Sequence, residues 1–247
     1  MNKQEQNKER RPRRGLSFER TRRMVTIAMF AALAYVVMLA IHIKIGGFLT
    51  LDVKDAVMTL CGLYFGPAAA LIIAVLVPLL EMVTVSETGW YGFVMNTIGS
   101  ASFAVTASLI YKYKKTFFGA IIGLLSGAAA MVAVMLPLNL IITPLYWGMP
   151  VAAVRAIIPT LLLPFNVTKA AINVGIVLLL YKSLSTVLKK AHVLPYGAVE
   201  IPEQTRPAFS VRTLIVSLAG LVLVIASLIV IFNVMHGEIG FWVQKSE

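Results

Sequence analysis

Charge is scarce in this chain, and cysteine is almost missing. Asp, Glu, Lys and Arg make up 13% of the residues, against about 25% in an ordinary soluble domain. A single cysteine, Cys61, excludes an intrachain disulfide and a thiolate metal site built from this chain alone. It lies inside an apolar stretch and reads as a small buried side chain. No G-x-x-x-x-G-K-S/T phosphate loop occurs, so the chain cannot drive anything with ATP by itself. No H-E-x-x-H, Ser/His/Asp or paired-carboxylate pattern is present, and His42, His192 and His236 stand far apart. An enzyme is therefore not expected.

What the chain has in excess is apolar residues, 59% of 247, where a soluble domain has about 45–50%. A globule of this length cannot bury all of them, so lipid must cover the remainder. Apolar runs such as Met24–Ile41, Ala68–Leu80 and Ile172–Leu180 agree, since a membrane-crossing helix needs about 20 apolar residues. The expected fold class is all-α, a polytopic membrane helix bundle.

The net charge of +11 raises the question of nucleic acid, but its placement argues against it. Nine of the 22 Lys and Arg lie in the first 23 residues. Others cluster at helix ends, as Lys112, Lys114, Lys115, Lys182, Lys189 and Lys190. This is the positive-inside bias of a plasma-membrane protein, and a basic tail also attracts anionic lipid. The first apolar run is too long for a cleaved signal peptide and no A-x-A-like site follows, so it is expected to be a retained span.

Residues 1–23 are expected to form a basic cytosolic tail and 24–190 a six-helix substrate-binding membrane domain. Residues 191–210 read as a cytosolic linker, 211–235 as a seventh transmembrane helix and 236–247 as an external tail. The seven spans are expected at Met24–Ile45, Val53–Phe65, Pro67–Val85, Trp90–Tyr111, Phe117–Ile142, Val151–Leu188 and Val211–Met235. Gly66-Pro67 turns the chain into the third, with Pro in the first helical turn. Interruptions are expected at the start of span 2, where Asp52, Lys54 and Asp55 stand, and in span 5, which Pro137 breaks and Pro144 ends. A proline frees a carbonyl that must be satisfied by protein or by a wet cavity. Trp90, Tyr91, Tyr146 and Trp147 fall on the external side with Gly46 and Gly47, as interface-belt residues or as part of a ligand mouth.

Intramembrane polar groups are costly and so call for a reason. In Leu163-Pro-Phe-Asn166-Val-Thr-Lys169, followed by Asn173, offsets of 0, +3 and +7 put Asn166, Lys169 and Asn173 on one helical face. Lys169 lies near mid-helix, where an outward reach to water is difficult, which favours a ligand-facing role over helix–helix bonding. Asn139, beside Pro137, either satisfies a freed carbonyl or faces a ligand. Glu81 in span 3 either pairs with Lys169, meets a ligand or is solvated, and Asn96 in span 4 belongs with it. Ala28-x-x-x-Ala32, with Ala31 and Ala34 alongside, makes a small-residue stripe that lets another helix approach.

Together these pieces resemble the substrate-binding S components of energy-coupling factor (ECF) vitamin transporters, in particular their riboflavin-specific branch. The resemblance covers about residues 20–190. It is carried by Arg22-Arg23 with Ala28-x-x-x-Ala32, by Phe48-Leu-Thr-Leu-Asp-Val-Lys-Asp55 leading to Tyr64-Phe65-Gly66-Pro67, by Pro137-Leu-Asn139 through Pro144-Leu-Tyr146, and by Pro164-Phe-Asn166-x-x-Lys169 with Tyr181-Lys182. It implies a six-helix bundle with an outward-opening flavin site, covered by the loop between spans 1 and 2. It implies hydrogen bonds to riboflavin from Asn139, Asn166 and Lys169, and docking of the face formed by Ala28, Ala31 and Ala32 on a transmembrane coupling subunit that two cytosolic ATPases drive. Phe48, Leu51, Tyr146 and Phe165 are candidate neighbours of the flavin ring, which is transported cargo; no cofactor is expected. Ala56-Val57 stands where the family usually has a proline, and the seventh span, expected to be peripheral, is extra. Other readings are an S component for pantothenate or thiamin and an autonomous secondary carrier.

Overall fold

The computed structural model describes residues 13–45, 49–190, 211–236 and 238–240. Helix α1 spans Arg13–Ala40. A β-hairpin follows, β1 His42–Ile45 and β2 Leu49–Asp52, antiparallel with Ile43 opposite Leu51. Next come α2 Lys54–Phe65, α3 Pro67–Thr84, α4 Gly89–Tyr113 and α5 Phe117–Trp147. The sixth span is built from α6 Val151–Ile157, a π-helical turn Ile158–Leu162, and α7 Leu163–Lys190. Helix α8 Val211–Ile229 runs into a second π turn, Val230–Val234, and a short strand β3, Glu238–Gly240. Strand β3 pairs antiparallel with β1, giving a sheet in the order β2-β1-β3.

Six stretches among the described residues are long and apolar enough to cross a membrane: Arg20–Ala40, Pro67–Thr84, Gly89–Tyr113, Phe117–Trp147, Val151–Tyr181 and Leu214–Val234. Their outward faces carry large apolar side chains, such as Met24, Met29, Leu71, Ile72, Leu125, Ile141, Leu214 and Leu218, as lipid contact demands. Helix α2 is the exception. Its 12 residues are all buried, and at about 1.5 Å rise per residue it is too short to span about 30 Å of hydrocarbon alone. It is an axial plug enclosed by α1, α3, α4 and α7. That position explains why so short a run holds Cys61, Met58 and Leu60 with little or no exposure.

The plug is pinned at both ends. At its C-terminus, Gly66 takes φ +93°, a left-handed conformation that suits glycine, and Pro67 opens α3. There Arg23 donates to the Phe65 carbonyl at 2.8 Å. The Tyr64 hydroxyl donates to the Tyr181 carbonyl at 2.6 Å, and the Tyr111 and Tyr181 hydroxyls lie 2.8 Å apart. At its N-terminus, Asn173 Oδ1 accepts from the Ala56 amide at 2.8 Å, supplying one of the acceptors that a helix start lacks.

Two expectations about broken helices are corrected. Helix α5 runs unbroken through Pro137 and Pro144 and ends at Gly148. The discontinuity lies in the sixth span, where Pro159 sits within the π turn and Pro164 just after it. The π turn widens the backbone by one residue, and Leu163 N–H reaches Ile158 O, so the helix absorbs its prolines by a change of register. The small-residue stripe on α1 is corrected as well. Ala28 and Ala32 are exposed, whereas Ala31 is 4% exposed and packs in the core with Phe30 and Ala34. At about 100° per residue, Ala31 lies on the inner side of Ala28 and Ala32 on the outer.

Candidate ligand-binding site

A cleft opens beside the hairpin, walled by α3, α4, α5 and the start of α7. Its empty space, open mouth included, is about 1000 Å³. Seven of the ten expected substrate-binding residues line it: Glu81, Asn96, Asn139, Tyr146, Phe165, Asn166 and Lys169. Leu51 and Asn173 do not. Leu51 is fully buried in the apolar core under the hairpin, with Ile43, Leu162 and Phe165. Asn173, one turn deeper, is committed to the Ala56 amide and the Lys169 carbonyl. Phe48 lies outside the described residues.

Below the cleft sits a network of buried charges. Lys54 Nζ is 2.9 Å from Asp52 Oδ2 and 2.7 Å from Glu81 Oε2. Lys169 Nζ is 3.3 Å from the same Asp52 oxygen and 3.8 Å from Asp55 Oδ2. Ser100 Oγ donates to Asp55 Oδ1, and Asn96 Nδ2 donates to Glu81 Oε1 at 3.2 Å. The expectation that Glu81 pairs with Lys169 is thus corrected: Lys54 takes Glu81, and Lys169 takes the two aspartates. Burial pushes the Asp52 carboxyl up, but the Lys169 and Lys54 ammonium groups outweigh it and hold it down at about 2. Asp52 is therefore ionised at neutral pH and anchors the Lys169 side chain at the cleft floor. Carboxylates on β2 and α2 are in this way tied to α3 and α7, which sets the hairpin end against the cleft.

The two asparagines are oriented alike. Asn139 Nδ2 donates to Met135 O at 2.7 Å, and Thr143 Oγ1 donates to Asn139 Oδ1 at 3.2 Å. The carbonyl that Pro137 frees is that of Ala133, so Asn139 does not serve it. Asn166 Nδ2 donates to Leu162 O at 2.8 Å, at the end of the π turn. Asn166 Oδ1 is buried and has no hydrogen-bond partner among the described residues. Such an orphaned acceptor is costly unless a bound donor satisfies it.

The aromatic residues divide. Tyr91 and Tyr146 line the cleft with ring centroids 5.8 Å apart, while Trp90 and Trp147 are exposed and do not line it. Sequence reasoning missed Met95, Met135, Ile142 and Thr143, which also line the cleft. A signal was present. Met135, Asn139, Ile142, Thr143 and Tyr146 form one stripe of α5, and Gly92, Met95 and Asn96 one stripe of α4, at spacings of three and four. Extending each stripe from its asparagine would have found them.

A buried amide-and-ammonium floor under a half-apolar cleft, embedded among lipid-facing helices, defines a multi-pass membrane subunit built to bind a solute. The chain belongs to the substrate-specific components of ECF transporters, whose family model matches residues 22–181. It is similar to the riboflavin transporter RibU of Staphylococcus aureus (strain TCH60), with 32% identity over 189 residues, 72% of this chain and 98% of that one. It is also similar to a solved S component of a bacterial ECF transporter, with 31% identity and a TM-score of 0.60 over 69% of this chain and 99% of that one.

Proposed function

We propose that this chain captures riboflavin outside the cell and delivers it for ATP-driven uptake by partner subunits. The observation that carries the reading is the orphaned Asn166 carbonyl oxygen beside Asn139 and Lys169 on one wall of the cleft. A flavin offers an imide N–H to such an acceptor, carbonyls to an ammonium and an amide, and a flat apolar ring to Phe165, Tyr146 and Met135. The named relative supports that choice of vitamin. Riboflavin is cargo on this reading, and the chain performs no catalysis and needs no cofactor. Full-length protein in detergent should quench riboflavin fluorescence at micromolar flavin and gain thermal stability with riboflavin but not with pantothenate or thiamin. Folded protein that neither quenches nor is stabilised sinks the proposal.

Transport itself requires a transmembrane coupling subunit and two cytosolic ATPases, and Ala28 and Ala32 on the outer face of α1 are the docking stripe. Ala28→Trp should leave flavin quenching unchanged and reduce co-purification of the coupling subunit at least severalfold. Unchanged co-purification removes the stripe from the interface. The orientation follows from charge. Arg23 and the Tyr64–Tyr111–Tyr181 cluster mark the end opposite the cleft, near the lysines at 112–115. The positive-inside bias then puts that end and the N-terminus in the cytoplasm, and the cleft and C-terminus outside.

A further inference from the structure

The seventh span is peripheral, as expected, with large apolar side chains exposed along it, but it is closely seated. Its backbone touches that of α7: a Cβ on Gly175 would lie 2.7 Å from the Gly220 carbonyl oxygen, and one on Gly220 would lie 2.8 Å from that of Gly175. Real Cβ atoms do not come so close to a carbonyl, so this pair of glycines permits the contact. Helix α8 is thereby seated on the helix that carries Asn166 and Lys169. At its outer end, the second π turn places Ile231 at 0% and Met235 at 8% exposure, in one apolar core with Ile43, Leu51, Leu162 and Phe165. Beyond it, β3 pairs with β1, Glu238 opposite Lys44 and Gly240 opposite His42.

Three contacts therefore lead from one segment to one movable wall. Strand β1 is the middle of the sheet, and its other neighbour, β2, carries Leu49 and Thr50 into the cleft and ends at Asp52. An isolated two-stranded hairpin is marginally stable, and a third strand with an apolar face stabilises it. Pairing with β3 also covers the row of backbone donors and acceptors that β1 would otherwise expose at the membrane surface. Helix α8, the second π turn and β3 all lie past residue 181, where the family match ends.

We infer that α8 and β3 form a clasp that holds the β1–β2 hairpin in place beside the cleft mouth, and that solute exchange is slowed while β3 is paired with β1. The clasp exchanges between a state with β3 paired, in which the mouth is narrowed, and a state with β3 free, in which the hairpin swings wider. It slows solute exchange in both directions, and it favours the contact-making position of the hairpin. The inference takes the cleft to be the solute site, as proposed above, but its test needs no solute.

A cysteine at position 50, from Thr50→Cys, reports the opening. Thr50 lines the cleft under the hairpin, and the native Cys61 is buried. The probe is a polar, membrane-impermeant maleimide applied to full-length protein in detergent, with labelling followed in time. Adding Ile239→Pro, which removes a strand N–H and fixes φ, should accelerate labelling at least tenfold. Ile239→Val should leave it unchanged. Should the proline chain fail to fold, Ile231→Ala, which thins the core under the hairpin, carries the same expectation. Equal labelling of the parent and the disrupted chain overturns the clasp, whether or not flavin binds.

Discussion

Lys169→Met is expected to weaken riboflavin binding about 10- to 100-fold, since a hydrogen bond to a charged group is worth about 1.5–3 kcal/mol. The Lys169 side chain is 7% exposed and its ammonium lies 3.3 Å from Asp52 Oδ2 while bordering the cleft. It has three donors, and the aspartates leave one for a solute. Methionine keeps the length of the side chain and removes only the donors and the charge. Asp52 retains Lys54 at 2.9 Å and Asp55 retains the Ser100 hydroxyl, so the bundle should still insert and melt cooperatively, with a lower midpoint because Asp55 loses its ammonium neighbour. A fluorescence titration of the purified variant decides the matter. Affinity within a factor of two of the parent would show that Lys169 serves the network and not the solute.

Lys54→Met should do the opposite, damaging the fold first. Lys54 is fully buried, does not line the cleft, and is the shared partner of Asp52 and Glu81. Removing one member of a buried ion pair strands the remaining charge and costs about 3–5 kcal/mol. At about 2–4 °C per kcal/mol for a chain of this size, the melting temperature should fall by about 10 °C or more. Adding Glu81→Gln should recover part of the loss, because it neutralises one of the two stranded carboxylates. A thermal unfolding curve of each variant reads this directly. An unchanged midpoint for Lys54→Met would mean that the carboxylates find other partners and that the network is not holding the hairpin end in place.

Much of the cleft was legible because lipid makes polar residues conspicuous. Within a run of Leu, Ile, Val and Ala, Asn139, Asn166 and Lys169 stand out, and each needs a partner that hydrocarbon does not provide. The helix face shared by Asn166 and Lys169 followed from 3.6-residue periodicity. The pairing of the charges was not legible. Lys54 and Glu81 are 27 residues apart, and Lys169 and Asp52 are 117 apart; only the depth at which α2 starts brings them together. Proline misled for a related reason. Pro137 and Pro144 lie within a helix that runs on through them, while Pro159 falls within the π turn and Pro164 just beyond it. Which carbonyls a proline frees is a local matter, but how they are accommodated depends on the neighbouring helices.

The one-dimensional pattern of this chain determined a membrane bundle, six of the seven expected crossing segments (Val53–Phe65 being the one that does not cross) and the polar side chains that could meet a solute. Burial of apolar side chains in lipid and the helical period both act over neighbouring residues, so both can be read along the chain. The partner of each buried charge, the loss of Leu51 and Asn173 to packing, and the return of the seventh span to the hairpin through β3 were decided by tertiary structure. Each depends on distances between segments far apart in sequence, and those distances exist only once the helices have packed.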